Sequence, residues 1–405
     1  MPSTIGWLDT TADQQRIARE MVSLFMVSES RDELGIGQIR DVMSNWMFPG
    51  TSVLQARARY FVLVPWCHLV AEQRARGRGR DLAQQVREVQ LEMIETMRRD
   101  HEEAEGLIGK QAGRSLKGLP RDLFWTGLVT FDIRRSESDL PRAQGHAEGE
   151  VTEMTSRQTT AWDPDLPPVP TGFPDIVPGG LDMSANEAQW LYERMRTDRE
   201  DTYLAHLLAL DPELIAQADA PWQVATETTF ASVQHARQFS LVMEGASLLY
   251  NLLVAERYEE HADLNRLDGG DLGATYRGKL ARWGERLTST APPGSWDLDN
   301  FITEVNARNR RISNRTWAFV VDWVTLLRDE DPVTVADSPG GRRLISLRES
   351  RKGAKSRLTD NSKTLETWSG NSGSGALTFR WDTIKTLVLD VNQGHGTQGV
   401  ADADA

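Results

Sequence analysis

One cysteine occurs in 405 residues, Cys67, so neither a disulfide framework nor a cysteine-based zinc site can be built within the chain. It falls in an apolar stretch, where a small buried hydrophobe is expected rather than a reactive thiol. Histidine is scarce too. His68, His101, His146, His206, His235, His261 and His395 are the full set, and none stands in H-E-x-x-H, H-x-H or E-x-x-H spacing. No metal and no cofactor are expected from these patterns. Long apolar runs are missing: the longest, Tyr60–Val70, contains Pro65 and His68 and is too short to span a bilayer. Met1–Asp9 lacks the basic and apolar regions of a signal peptide, so no membrane role and a cytoplasmic location are expected. Net positive charge is also lacking. A formal charge of −13 and a pI near 5.2 exclude a protein that coats nucleic acid with its whole surface, while leaving room for a local basic patch.

Several catalytic signatures are absent. No G-x-S-x-G elbow, paired nuclease carboxylates or HNH-like pattern occurs. "GLIGKQAGRS", Gly106–Ser115, invites comparison with a Walker A loop, but Gln111 follows Lys110 where Ser or Thr is required. Lys110, Arg114, Lys117 and Arg121 still make that loop a reasonable anion-contact surface.

What remains is largely helical. The apolar set is 39% and charged residues 26%, an ordinary globular balance for a chain long enough for two or three domains. "TADQQRIAREMVSLFMV" puts Ile17, Met21, Leu24 and Phe25 on one helical face. Ser52 with Gln55, and Ser184 with Glu187, form capping boxes that predict fresh helices. "FSLVMEGASLLYNLLVAE" is apolar on nearly every face, as for the central helix of an α-helical domain. "ALTFRW" carries the one convincing strand signal, running into a helix near Asp382. Between Glu137 and Asp182 stand nine acidic and two basic residues, and "WDPDLPPVPTGFPDIVP" holds six prolines. Such a stretch reads as a linker. The expected class is mainly α: a helical domain 1–135, an acidic Pro-rich linker 136–181, a mainly helical domain 182–392 with a small β element, and a flexible tail 393–405.

Two basic features bear on function. Arg342–Lys363 has eight basic and two acidic residues, a local +6 against the overall −13. Arg342, Arg343, Arg348, Arg351, Lys352, Lys355 and Arg357 are the candidate nucleic-acid contacts, with Lys110, Arg114 and Lys117 as a lesser set. Arg57 and Arg59 sit at the mouth of the apolar run. On a helix they would stand ~200° apart, too far for a shared phosphate clamp. They are expected to be structural, pairing with Asp32, Glu33 and Asp41 upstream.

"GWLD" with "RDELGIGQIRD" and "FPGTSVLQARARYFVLVPW", then "GKQAGRSLKGLP…FWTGL", then "ARQFSLVMEGASLLYNLLVAE" with a late "FRW", together resemble a bacterial family, domain of unknown function 6361. The resemblance carries no catalytic residues. It implies a setting beside helicases and phospholipase-D-like nucleases of the kind that restrict phage. The expected function is a non-catalytic subunit of a DNA-directed defence assembly, with such proteins and DNA as partners. Two alternatives stand beside it: an enzyme, a nuclease or phosphodiesterase built on His235, Glu244 and Asn251, or an adaptor using tryptophan-rich surfaces.

Overall fold

A computed structural model describes residues 32–76, 81–101, 103–135, 161–224, 230–261, 271–359 and 362–396. The expected helix around Ile17–Phe25, the linker half 136–160 with His146, and the tail beyond 396 lie outside the described residues. The protein is mainly α, and it divides into two compact units that each draw on separated stretches of chain. Among the described residues the first unit takes 48–218 and 380–396, and the second 32–47 and 219–379. The second unit's helix α1 is Gly37–Met47. The first unit holds α2 (Tyr60–Ala75), α3 (Leu82–Asp100), α4 (Pro120–Thr130), α5 (Ala185–Arg196), α6 (Tyr203–Leu208) and α7 (Pro212–Gln217).

The apolar run becomes α2, which is buried along most of its length and continues through Pro65. It packs on α3 and α4. Gly127 of α4 lies so close that a Cβ there would stand 2.6 Å from the Phe61 ring. Cys67 is buried in α2, and burial pushes its thiol pKa upward, which keeps it protonated and inert.

Where it is described, the expected linker is packed. From residue 161 onward its proline-rich half packs on the first unit, with Trp162, Phe173, Val177 and Leu181 buried. Trp66 donates its indole N–H to the Pro167 carbonyl at 2.7 Å and meets Phe173 edge-on at 5.6 Å. Trp190 donates to the Asp163 carboxylate at 2.9 Å. Prolines carry no N–H, so a non-helical wrap rich in them leaves few backbone donors to satisfy. The segment cannot form a core of its own, but it adds apolar side chains to one already present.

His68 lies on α2 between Trp162 and Trp125, at ring-centroid distances of 5.1 and 5.9 Å. Burial, then the nearby charges of Arg121 and Arg134, pull its pKa down to about 3. The unfolded chain therefore binds a proton below its ordinary value near 6.5 while the folded chain does not, and stability falls as pH falls through that window. Between pH 7 and 5 the expected loss is ~2 kcal/mol, at ~1.4 kcal/mol per unit below 6.5. Urea unfolding of the wild type and His68→Leu at several pH values checks this, and the variant's curve should be the flatter.

The second unit continues with α8 (Pro221–Val224), α9 (Ala231–Glu259), α10 (Leu272–Thr290), α11 (Leu298–Arg308), α12 (Asn314–Asp329), α13 (Pro339–Ser350) and α14 (Ser362–Leu365). Helix α9 is its axis, buried on nearly every side as its composition predicts. It is long and apolar enough to cross a bilayer by composition, and most of that stretch is buried inside the unit. Trp283 of α10 and Trp323 of α12 donate to consecutive α9 carbonyls, Leu241 at 2.7 Å and Val242 at 2.9 Å.

"ALTFRW" forms no strand. Phe379 and Arg380 take left-handed backbone angles, φ +52° and +60°, and the turn they make launches α15 (Trp381–Gly396), which belongs to the first unit. Trp381 anchors that start by donating to the Ala218 carbonyl at 2.9 Å. Among the described residues the one β pairing is an isolated bridge between Arg134 and Trp162.

Candidate nucleic-acid interface

Helix α13 is capped by Ser338, whose hydroxyl accepts from the Gly341 N–H at 2.9 Å. Gly341, Ile345 and Glu349 form its buried stripe. At ~100° per residue, Arg343, Leu347 and Arg351 follow one another along the opposite side. All three are exposed, as is Lys355 just beyond. A second basic stretch, which the charge contrast around Arg342–Lys363 does not reveal, meets this end of the helix. The end of α11, the connection and the start of α12 carry Arg308, Arg310, Arg311 and Arg315, with no carboxylate between Glu304 and Asp322. The Arg315 carbonyl lies 3.3 Å from an Arg348 Nη and 3.5 Å from one of Arg351. That acid-free run of seventeen residues is the signal that could have found it in the sequence.

The other candidate cations face inward. Arg348 donates to the carbonyls of Leu34 at 2.6 Å and Gly35 at 3.0 Å, and burial, then repulsion from Arg351, lowers its pKa. Gly35 has φ +66°, and a Cβ there would collide with the Arg348 guanidinium. Lys352 and Arg357 both bind Glu33, at 2.5 and 2.6 Å; Arg357 also donates to the Tyr250 hydroxyl at 2.9 Å. Burial opposes ionisation of Glu33, but hydrogen bonds from Arg357 and Lys352 bring its pKa below the ordinary carboxylate value. Glu349 pairs with Lys352 at 2.6 Å. Arg342 binds Glu256 and the Ala336 carbonyl. Arg342, Arg348, Lys352 and Arg357 are thus architectural, and Arg343, Arg351 and Lys355 remain with Arg310 and Arg315 as outward cations with no ion-pair partner among the described residues.

In the first unit Lys110 and Lys117 are exposed, whereas Arg114 is held by Glu95 at 2.8 Å and Glu88 at 3.2 Å.

Arg57 and Arg59 are held in ion pairs, and not by Asp32, Glu33 or Asp41. Half of the Ser52–Gln55 box forms: the Ser52 N–H donates to Gln55 at 3.1 Å, but the Ser52 hydroxyl accepts from the Leu54 N–H at 3.4 Å, and no helix follows until Tyr60. The Gln55 amide instead ties the connection to the Gly50 carbonyl at 3.2 Å. Arg57 binds Asp390 and Asp182, each at 2.9 Å. Arg59 binds Glu187 at 2.9 Å and the carbonyls of Pro178 and Gly180. Asp390 also accepts from the Ala58 N–H at 2.8 Å; burial raises its pKa in spite of both partners. Two adjoining clefts of about 470 and 230 Å³ lie over these pairs. The expected partners serve elsewhere: Glu33 as above, Asp32 capping α1 through Ile36 and Gly37 N–H groups at 2.7 Å, and Asp41 beside Arg40 at 3.1 Å.

His235, Glu244 and Asn251 do not form one site. His235 Nδ1 accepts from Trp296 at 3.2 Å, which leaves Nε2–H to donate to Asn300 at 3.0 Å. Burial keeps this imidazole neutral by lowering its pKa, against the Asn300 bond. Glu244 binds Arg286 at 2.6 Å, and Asn251 bonds to Ser372 and Trp368. Among the described residues no cluster of three or more metal-ligating side chains occurs. No described tryptophan is fully exposed; Trp46, Trp125 and Trp222 are half-buried and the rest buried.

These features define a mainly α-helical protein of two units, the second of which presents Arg310, Arg315, Arg343, Arg351 and Lys355 outward. The chain belongs to the family of unknown function 6361, whose model matches residues 2–393. No curated protein and no solved structure matches it.

Proposed function

We propose that the chain is a non-catalytic, cytoplasmic subunit of a bacterial DNA-directed anti-phage assembly, contacting DNA through the basic face of the second unit. One observation carries the DNA contact. In a chain of net −13, Arg343, Arg351, Lys355, Arg310 and Arg315 come from two separate stretches that meet at the Arg315 carbonyl, and all point outward without carboxylate partners among the described residues. Cations left unneutralised on an acidic protein suit a polyanion. The defence setting, with a helicase or phospholipase-D-like nuclease as partner, rests on the family resemblance. The enzyme reading has less support, because His235, Glu244 and Asn251 are each bound to different partners.

Binding to a labelled DNA duplex should weaken steeply with salt. Combining Arg343→Ala, Arg351→Ala and Lys355→Ala should reduce the log–log salt slope by about 2–3, at roughly 0.9 for each phosphate no longer neutralised. Salt-insensitive or undetectable binding, by the protein and by the complex it forms with co-expressed neighbouring gene products, would overturn the proposal.

A further inference from the structure

We infer that α13 enters the major groove of duplex DNA and lays Leu347 against thymine methyl groups, between Arg343 and Arg351. This rests on the duplex contact proposed above and names the groove and the base feature it reads. Leu347 is 52% exposed. A lone exposed leucine means little by itself; its surroundings give this one an assignment. Arg343 and Arg351 stand about one turn to either side of it, both exposed and both without an ion-pair partner among the described residues. The other exposed residues of the helix are Pro339, Gly340, Ser346 and Ser350, and its one carboxylate, Glu349, is 1% exposed and held by Lys352. On a chain of net −13, a helix face with two arginines and no exposed carboxylate complements a polyanion.

The geometry suits a groove. At ~100° per residue, Arg343 and Arg351 lie about 40° to opposite sides of Leu347, so their long side chains diverge toward the two strands while the leucine meets the floor between them. A helix ~10–12 Å across fits a major groove about 12 Å wide and not a minor groove of about 6 Å. Gly340, Ser346 and Ser350 are small enough to let the backbone approach. The thymine methyl is the apolar feature that the major-groove floor offers. A protein partner is favoured less: a helix held in a protein groove uses apolar anchors one turn apart, and here the positions one turn from Leu347 are arginines.

The test uses the full chain, or its complex with co-expressed neighbouring gene products where the chain alone binds no DNA, and two labelled duplexes of alternating A·T sequence. One carries thymine and the other uracil, which lacks only the methyl. The thymine duplex should bind about fourfold more tightly, as for burying one hydrocarbon group. Leu347→Ala should remove that preference with salt slope and melting temperature little changed, since it deletes no charge. Arg343→Ala should weaken both duplexes alike and keep the preference. Equal binding of the two duplexes with normal salt dependence, or a preference that survives Leu347→Ala, overturns the inference and leaves the phosphate contact standing. Equal binding together with loss of a co-purifying protein from Leu347→Ala assigns the face to a protein partner and overturns it too. Salt-insensitive or absent binding overturns both readings.

Discussion

Arg59→Ala is expected to destabilise the protein by about 3–5 kcal/mol, the range for removing one member of a buried ion pair. Arg59 is 4% exposed and Glu187 3%, so both charges are largely desolvated in the fold. The guanidinium serves three acceptors at once: Glu187 at 2.9 Å and the carbonyls of Pro178 and Gly180 at 2.6 and 2.8 Å. Alanine leaves both carbonyls unsatisfied and Glu187 with the Ser184 N–H at 2.8 Å as its remaining hydrogen bond. Lysine should rescue little, since an ammonium lacks the planar fork that reaches all three. Arg59→Met combined with Glu187→Gln should recover a large part of the loss, because the cost lies in the stranded charge more than in the missing attraction. Urea unfolding of the single and double variants measures this. A loss under ~1 kcal/mol for Arg59→Ala would show the pair to be no stronger than a surface salt bridge.

Gly245→Ala should also be strongly destabilising, against its helix propensity. In an exposed helix interior the change would gain ~1 kcal/mol. In α9 the new Cβ would stand 2.5 Å from Cε2 of Trp283 and nearer still to two further ring atoms. Trp283 cannot readily yield, being 1% exposed and tied to the Leu241 carbonyl. Overpacking of this kind costs about 1–3 kcal/mol and occasionally more, so the net loss should be near 2 kcal/mol. Trp283→Phe removes the overlapping ring, and Gly245→Ala should then be nearly neutral in that background. Denaturant unfolding of the cycle checks the sign. A Gly245→Ala protein more stable than the wild type would mean the α9–α10 contact is loose.

Local signals were legible where local physics decides. The Ser184–Glu187 box caps α5, and the all-round apolar stretch became the buried helix α9. Only half of the Ser52–Gln55 box formed, without a helix: the Ser52 hydroxyl took the Leu54 N–H, and the arginines that follow were drawn out to distant acids. "ALTFRW" alternates like a strand, but an extended segment needs a partner edge; here the chain turns at Phe379 and Arg380 instead. The proline-rich half of the linker read as unable to order itself, which is true of it alone. It is ordered by the core it covers.

For the candidate interface the division is similar. Composition and spacing alone determined the helical class, the buried central helix, the buried cysteine, and the charge contrast around Arg342–Lys363. The tertiary structure decided which of those cations meet water. Arg357 finds Glu33 across 324 positions of sequence, and Arg57 finds Asp390 across 333. A guanidinium pairs with whichever carboxylate the fold brings within about 3 Å, and sequence separation carries no information about that distance. Hence Arg343, Arg351 and Lys355 kept their charges outward with no ion-pair partner among the described residues, their neighbours became internal ties, and Arg310 and Arg315 joined them from a segment whose basic character gave no hint of where it would lie.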